Sequence, residues 1–164
     1  YPMGAIIGKK EVMNAAQDSF ISSTYWTERI GFVASIACIN KMKKYNVQEH
    51  LIRIGKKVQE GWLKKANENN LKIQVGGIYP LSHFSFEYDN PLLYKTLFTQ
   101  EMLKRGFLAT TGFYSSFAHT DEIINKYIEN VEEVFNIISK SIKDSNAEKL
   151  LEGPICQSGF KRLN

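Results

Sequence analysis

At Asn67-Glu68-Asn69-Asn70 the rhythm of this chain changes. Before it, Leu51, Ile54, Val58, Trp62 and Leu63 recur at helical spacing; after it, Lys72-Ile73-Gln74-Val75-Gly76-Gly77 and Ser82-His83-Phe84-Ser85-Phe86-Glu87-Tyr88 alternate with a period of two. A stripe of period 3.6 builds an amphipathic helix, and an alternating run builds a half-buried strand. The Asn-rich break must therefore turn a helix back onto a sheet. The spacing predicts a helix over 47–67 and two strands joined around Tyr79-Pro80.

The remaining stretches extend this pattern. Asp89-Asn90-Pro91 is a helix start, and Arg105-Gly106 is a helix stop. Short strands are expected at Phe107-Leu108-Ala109 and Phe117-Ala118-His119, flanking a loop over 110–116. Thr120-Asp121-Glu122 caps a helix to about Ile142, with Ile124, Tyr127, Ile128, Val131, Val134, Phe135 and Ile138 facing inward. From Ser145 the tail is polar apart from Leu150-Leu151 and Ile155. The order strand, strand, helix, strand, strand, helix implies a small α+β domain, with helices on a mainly antiparallel sheet.

The first part reads differently. Met3 to Ile7 is expected as a short buried strand, followed by a helix over Lys9–Ala16 with Val12, Met13 and Ala16 on one face. Phe20 to Thr24 is β-prone and reads as extended chain or loop. From Glu28 to Lys44 the chain is helical, and Gly31, Ala34, Ser35 and Ala37 suit close packing against another element. One strand and its helices cannot close a core alone. The expected division is 1–46, the end of a larger domain; 47–142, the α+β domain; and 143–164, a tail.

Composition sets outer limits. Of 164 residues, 43% are hydrophobic and 23% charged, as in ordinary globular domains. No apolar run approaches the roughly 20 residues of a membrane span, so no membrane association is expected. The net charge of +4 comes from lysines spread along the chain. Lys56, Lys57, Lys64 and Lys65 fall between the apolar positions of a helix and read as its solvated face, with no nucleic-acid motif beside them. The two cysteines, Cys38 and Cys156, lack a partner pattern for zinc. Cys38 reads as a buried helix residue, and this usage fits a reducing, cytoplasmic compartment.

Three histidines are candidates for chemistry. His50 lies on a Lys/Glu-rich helix face and reads as solvated. His83 lies in an alternating strand. His119, just before a helix cap, is the best placed, with a hydrogen-bonded structural role as the plain alternative. Ser22-Ser23-Thr24 offers three hydroxyls before a helix, which suits either an anion site or an N-cap. There is no nucleophile elbow, HExxH or Walker loop.

Tyr1-Pro2-Met3-Gly4-Ala5-Ile6-Ile7-Gly8 resembles the strand that directly follows the Schiff-base lysine in class III pyridoxal-phosphate aminotransferases. The usual form there is a lysine, a few small residues, then Gly-Xaa-Pro-Xaa-Gly-Ala and a short helix. Leu108-Ala109-Thr110-Thr111-Gly112-Phe113 and Ser116-Phe117-Ala118-His119-Thr120 resemble the carboxy-terminal signature of the glutamate-1-semialdehyde 2,1-aminomutase subgroup. The likeness extends to about Ile142.

It implies fold type I, with the end of the large α/β domain followed by the small carboxy-terminal domain. It also implies pyridoxal 5'-phosphate as cofactor, and a homodimer with active sites at the subunit interface. Thr24 matches the threonine that bonds the cofactor phosphate of the partner subunit, with Ser23 beside it. The imine-forming lysine is expected before Tyr1; Lys9 and Lys10 do not stand in its place.

Two departures matter. The usual Gly-Asn-Pro reads Thr27-Glu28-Arg29, and the aminomutase glutamate after Phe113 reads Tyr114 in a shorter loop. Glu28, Arg29 and Tyr114 are thus candidate substrate or interface residues, Arg29 as partner of a substrate carboxylate or in an interface ion pair. The resemblance then implies an aminotransferase acting on a small-molecule donor and acceptor, such as an amino-sugar or ω-amino acid. The alternatives are the aminomutase itself and a non-catalytic α+β interaction domain.

Overall fold

The change of rhythm at residues 67–70 is a sharp reversal in the computed structural model, which describes residues 3–20 and 27–159. Helix α3 (Val47–Glu68) ends there. Asn70 takes a positive φ of 55°, and Leu71 N–H donates back to Ala66 O at 2.9 Å. This closes the helix and aims the chain into strand β1 (Ile73–Ile78). The chain forms two compact units, Tyr1–Val47 and Gln48–Asn164.

In the first unit, α1 (Lys10–Met13) runs into a 3-10 turn over Asn14–Asp18, and α2 spans Ile30–Lys44. The expected helix over 9–16 is therefore α-helical only in its first turn. Residues 3–9 form no strand. Strand hydrogen bonds need a neighbour, and among the described residues none pairs with them; Ile6 and Ile7 are exposed. Met3 instead packs beside Gly31 and takes the Ser35 hydroxyl on its sulfur at 2.8 Å, a use for the small residues of α2. Cys38, expected in a core, is exposed, because α2 buries none of its residues.

In the second unit, α3 turns Ile54, Val58, Trp62 and Ala66 inward at four-residue intervals. Leu63, expected in that stripe, is exposed, since it follows Trp62 by one residue and so points about 100° away from it. Strand β2 (Leu81–Phe86) pairs antiparallel with β1 through a two-residue turn, with Ile78 opposite Leu81 and Ile73 opposite Phe86. Ser82, Phe84 and Phe86 face the core, while Leu81, His83 and Ser85 face away. Helix α4 (Pro91–Lys104) starts where Asn90 Oδ1 accepts from Leu93 N–H, and it ends before Gly106 at φ 83°. It buries Leu93, Leu97, Phe98 and Met102.

The third strand is not at either of the short segments expected, 107–109 and 117–119. Residues 107–110 and 115–119 are not strands. Strand β3 (Gly112–Tyr114) lies inside the expected loop, paired antiparallel with β2 so that Leu81 faces Tyr114 and His83 faces Gly112. Phe84 N–H extends that pairing to Thr111 O at 2.9 Å. The sheet order is β1-β2-β3. Helix α5 (Asp121–Lys143), capped by the Thr120 hydroxyl, brings Ile124, Tyr127, Val131, Val134, Phe135 and Ile138 onto the same core.

Phe84 lies at the centre of that core, edge-on to Trp62, Phe86, Phe98 and Phe135 at centroid separations of 4.9–5.7 Å. The tail folds back along α4, where Gln100 donates to Leu150 O and accepts from Glu152 N–H. The lysine face is not wholly solvated: Lys65 is largely covered and bonds Glu132 and Glu68, which raise its pKa. Among the described residues, no helix is long and apolar enough to cross a membrane.

Gly55 faces the β1–β2 turn, where a Cβ would run into the main-chain carbonyl of Tyr79. Gly55→Ala gains about 1 kcal/mol of helix propensity. It forces main chain apart, however, and overpacking of this kind costs about 1–3 kcal/mol, here with no flexible side chain to yield. Urea unfolding is expected to show a lowered midpoint at unchanged slope, whereas exposed Lys56→Ala stays within about 0.5 kcal/mol.

Candidate functional site

Between the segment 107–110, β3 and the start of α5 lies a cleft of about 410 Å³. Its floor is aromatic. Phe113 stacks on Tyr127 at 6.0 Å and on His119 at 5.0 Å, both at 29°, and Phe107 meets Tyr127 edge-on at 5.9 Å. Beneath them the Trp62 indole N–H donates to the Tyr127 hydroxyl at 3.0 Å, fully buried. Burial pushes the Tyr127 phenol well above the ordinary tyrosine value, so it is an un-ionised hydrogen-bonding group.

The rim is open. Leu108 is 98% exposed and Tyr114 is 75% exposed. The polar lining consists of Thr110, Tyr114, Tyr127 and His119, with no Lys, Arg, Asp or Glu among the residues that form the cleft. Such a wall suits the uncharged part of a small molecule and offers nothing to balance a phosphate or carboxylate.

His119 is held by main-chain groups. Its Nδ1 accepts from Ser116 N–H at 3.1 Å, its own N–H donates to Ser116 O at 3.1 Å, and Ala118 N–H donates to Ser116 Oγ. These bonds close a turn over 116–119, which is why the expected strand there does not form. His50 is half-buried rather than solvated: its Nε2 meets His119 O at 3.1 Å and its ring lies edge-on to Phe117. Farther along α3, Arg53 and Lys57 both bond Asp121, the first residue of α5, at 2.8 and 3.0 Å. The Arg53 guanidinium, then the Lys57 ammonium, holds that carboxyl at about 2.

The structure scatters the residues singled out in the sequence. Tyr114 is on the rim of the cleft and His119 in its wall. Glu28 and Arg29 are exposed at the start of α2 in the first unit, Arg29 giving its carbonyl to Val33 N–H. Ser23 and Thr24 lie outside the described residues. His83 is on the outward face of β2, its ring over Gly76 and Gly77. Cys156 is half-buried against α4. No cluster of potential metal ligands occurs among the described residues.

Sequence reasoning missed the Trp62–Tyr127 pair, although a tyrosine inside an otherwise apolar stripe asks for a buried partner. It also missed Gln59, whose amide donates to Ser82 Oγ at 2.9 Å and Gly77 O at 3.2 Å and so ties α3 to the hairpin.

No protein-family model matches the chain. Curated relatives do. A 2'-deamino-2'-hydroxyneamine transaminase of Streptomyces kanamyceticus is 24% identical over 132 residues, 77% of this chain and 33% of the relative. A 3-aminobutyryl-CoA aminotransferase of Cloacimonas acidaminovorans is 26% identical, covering 87% of this chain and 36% of the relative. A glutamate-1-semialdehyde 2,1-aminomutase of Clostridium botulinum is 30% identical over 149 residues, 78% of this chain and 34% of the relative.

This chain is similar to class III aminotransferases. It matches the carboxy-terminal portion and spans about a third of the length of these relatives. Among solved structures, the PLP internal aldimine form of the Sphingopyxis sp. MTA144 FumI protein matches at a TM-score of 0.73 and 19% identity, over 88% of this chain and 36% of that one. That likeness shows the shared fold. The expected fold class, with helices on an antiparallel sheet in this portion, therefore holds.

The cofactor of such enzymes carries a phosphate, and the cleft does not fit that phosphate: its lining has no Lys or Arg. In this carboxy-terminal portion the cleft is a wall lined by aromatic rings.

Tyr127→Phe removes one oxygen and leaves the Trp62 indole N–H buried and unpaired, at a cost of about 1–3 kcal/mol. Adding Trp62→Phe removes the orphaned donor. Thermal or urea unfolding of the single and double variants should therefore give a double-mutant loss smaller than the sum of the two single losses.

Proposed function

We propose that this chain is the carboxy-terminal part of a pyridoxal-phosphate-dependent aminotransferase that moves an amino group between two small molecules. The observation that carries this reading is the match, over 77–87% of the chain, to relatives described as a transaminase and an aminotransferase. When bound, pyridoxal phosphate supplies the electron sink that makes such chemistry accessible.

The roles of this chain are binding and shaping. Thr24, with Ser23 beside it, reaches the cofactor phosphate of the partner subunit in a homodimer; a hydroxyl donates to a phosphate oxygen without adding charge. The Schiff-base lysine comes from sequence preceding Tyr1. Phe107, Phe113 and Tyr127 keep one wall of the substrate space dry, and Tyr114 offers the substrate a phenol at its rim. An uncharged wall and a tyrosine in place of the aminomutase glutamate favour transfer between two molecules over the intramolecular shift. An amino-sugar or ω-amino acid is the donor class this reading favours, in a cytoplasmic enzyme.

The test uses the full-length enzyme. Its visible absorbance band should vanish on borohydride treatment, and amine should pass from an amino-sugar or ω-amino acid donor to a 2-oxo acid. Conversion of glutamate-1-semialdehyde without any second substrate would instead establish the aminomutase reaction. Thr24→Ala is expected to weaken cofactor retention by about 1–3 kcal/mol, the worth of a bond to a charged group. Equilibrium dialysis of the cofactor measures this, and unchanged affinity would assign Thr24 to helix capping alone.

A further inference from the structure

A main-chain N–H can only donate, so the bond from Ser116 N–H to Nδ1 of His119 fixes that nitrogen as an acceptor. The neutral ring must then carry its proton on Nε2. The reciprocal bond, from His119 N–H to Ser116 O, makes the turn a closed pair with the logic of a capping box. By the same argument, Nε2 of His50 is protonated, because its partner is the carbonyl oxygen of His119.

The turn is joined to the cleft. Ser116 follows Ser115, whose N–H donates to Pro80 O at 2.9 Å, and Ser115 follows Tyr114, paired with Leu81. The His119 ring lies on Phe113 of the same strand.

We propose that His119 is a positioning residue that holds this rim as a proton-operated latch. Neutral, its Nδ1 closes the 116–119 turn and fixes the end of β3 with Tyr114. Protonated, it sets a donor against the Ser116 donor, and the turn opens. Stacking on Phe113 tolerates either protonation state, whereas the hydrogen bond does not. His50, through its bond to the His119 carbonyl, still holds residue 119 to α3, so the movement falls on Ser116 and the strand before it. The inference goes beyond amino transfer and stands on the geometry of this chain alone.

Among the described residues, these are titratable groups on the elements beside the ring. From α3 come His50 and the pair Arg53 and Lys57, both committed to Asp121. From α5 come Asp121, Glu122 and the un-ionised Tyr127, and from β3 comes Tyr114. Burial first, then the His50 charge, lowers the His119 pKa below the ordinary value of 6.5. The latch is therefore closed at neutral pH and opens as pH falls through a midpoint below that value.

Nitrogen-15 NMR of the full chain tests this. At neutral pH the His119 side chain should show protonated Nε2 and bare Nδ1. The Ser116 and Tyr114 amide resonances should follow the ring's titration with one shared midpoint below about 6.5. His119→Asn keeps an acceptor oxygen near the Nδ1 position but does not titrate. In that variant both amides should stay near their neutral-pH positions and lose the pH dependence.

A proton on Nδ1 at neutral pH would overturn the proposal. So would a Ser116 amide indifferent to the His119 titration, or amide shifts that persist in His119→Asn and so belong to His50 or His83. Should the variant fail to fold, the wild-type tautomer and the shared midpoint decide the question alone.

Discussion

The second unit depends on where Trp62 is held. Its indole is fully buried on α3, edge-on to Phe84 of β2 and Phe113 of β3, and its one polar atom is bonded to Tyr127 of α5. One side chain thus meets β2, the strand β3 that lines the cleft, and the helix that floors it. Aromatic pairs are worth about 0.5–1.5 kcal/mol each beyond the area they bury. The directional bond to Tyr127 adds what packing alone lacks, a single rotation of α5 relative to α3. The cleft is a consequence: once Tyr127 is pinned, Phe113 stacks on it and His119 stacks on Phe113.

The helices were legible because their information is local. The stripe at Ile54, Val58 and Trp62, the Asn90-Pro91 start, the Gly106 stop and the Thr120 cap each write a boundary within a few residues. The β1–β2 hairpin was legible for the same reason, since both strands and their two-residue turn are contiguous. The third strand was not. Phe107-Leu108-Ala109 has the apolar character of a short strand but pairs with none among the described residues, while Gly112-Phe113-Tyr114, within a Thr/Ser/Gly-rich run, lies against β2. Pairing across some thirty residues is set by the core, not by the local run. The failure at Met3–Ile7 is of the same kind.

The candidate site was legible in part. Tyr114 and His119 came from motifs and meet at one cleft, while Glu28 and Arg29 lie in the other unit. Ser23 and Thr24 fall outside the described residues. Trp62–Tyr127 and Gln59 went unread because their significance is pairwise: a tyrosine in an apolar stripe asks for a partner but does not say which one. The first unit shows the converse: Ile30, Phe32, Val33, Ile36 and Ile39 on α2 are exposed. The spacing of that helix reads as a packing face, yet within the described residues it buries none of its side chains.

The hold of the tail on α4 is made by one glutamine acting as a piece of main chain. The Gln100 amide gives its N–H to Leu150 O and takes Glu152 N–H on its oxygen, the two groups an adjoining strand would engage. Thr96 does the same for Cys156 N–H. These grips read the peptide backbone and ignore the side chains. Beside them Ala147, Leu151 and Ile155 pack on the core. The outward positions of the tail are therefore free to vary, while Thr96 and Gln100, 60 and 50 residues earlier in the chain, hold its course.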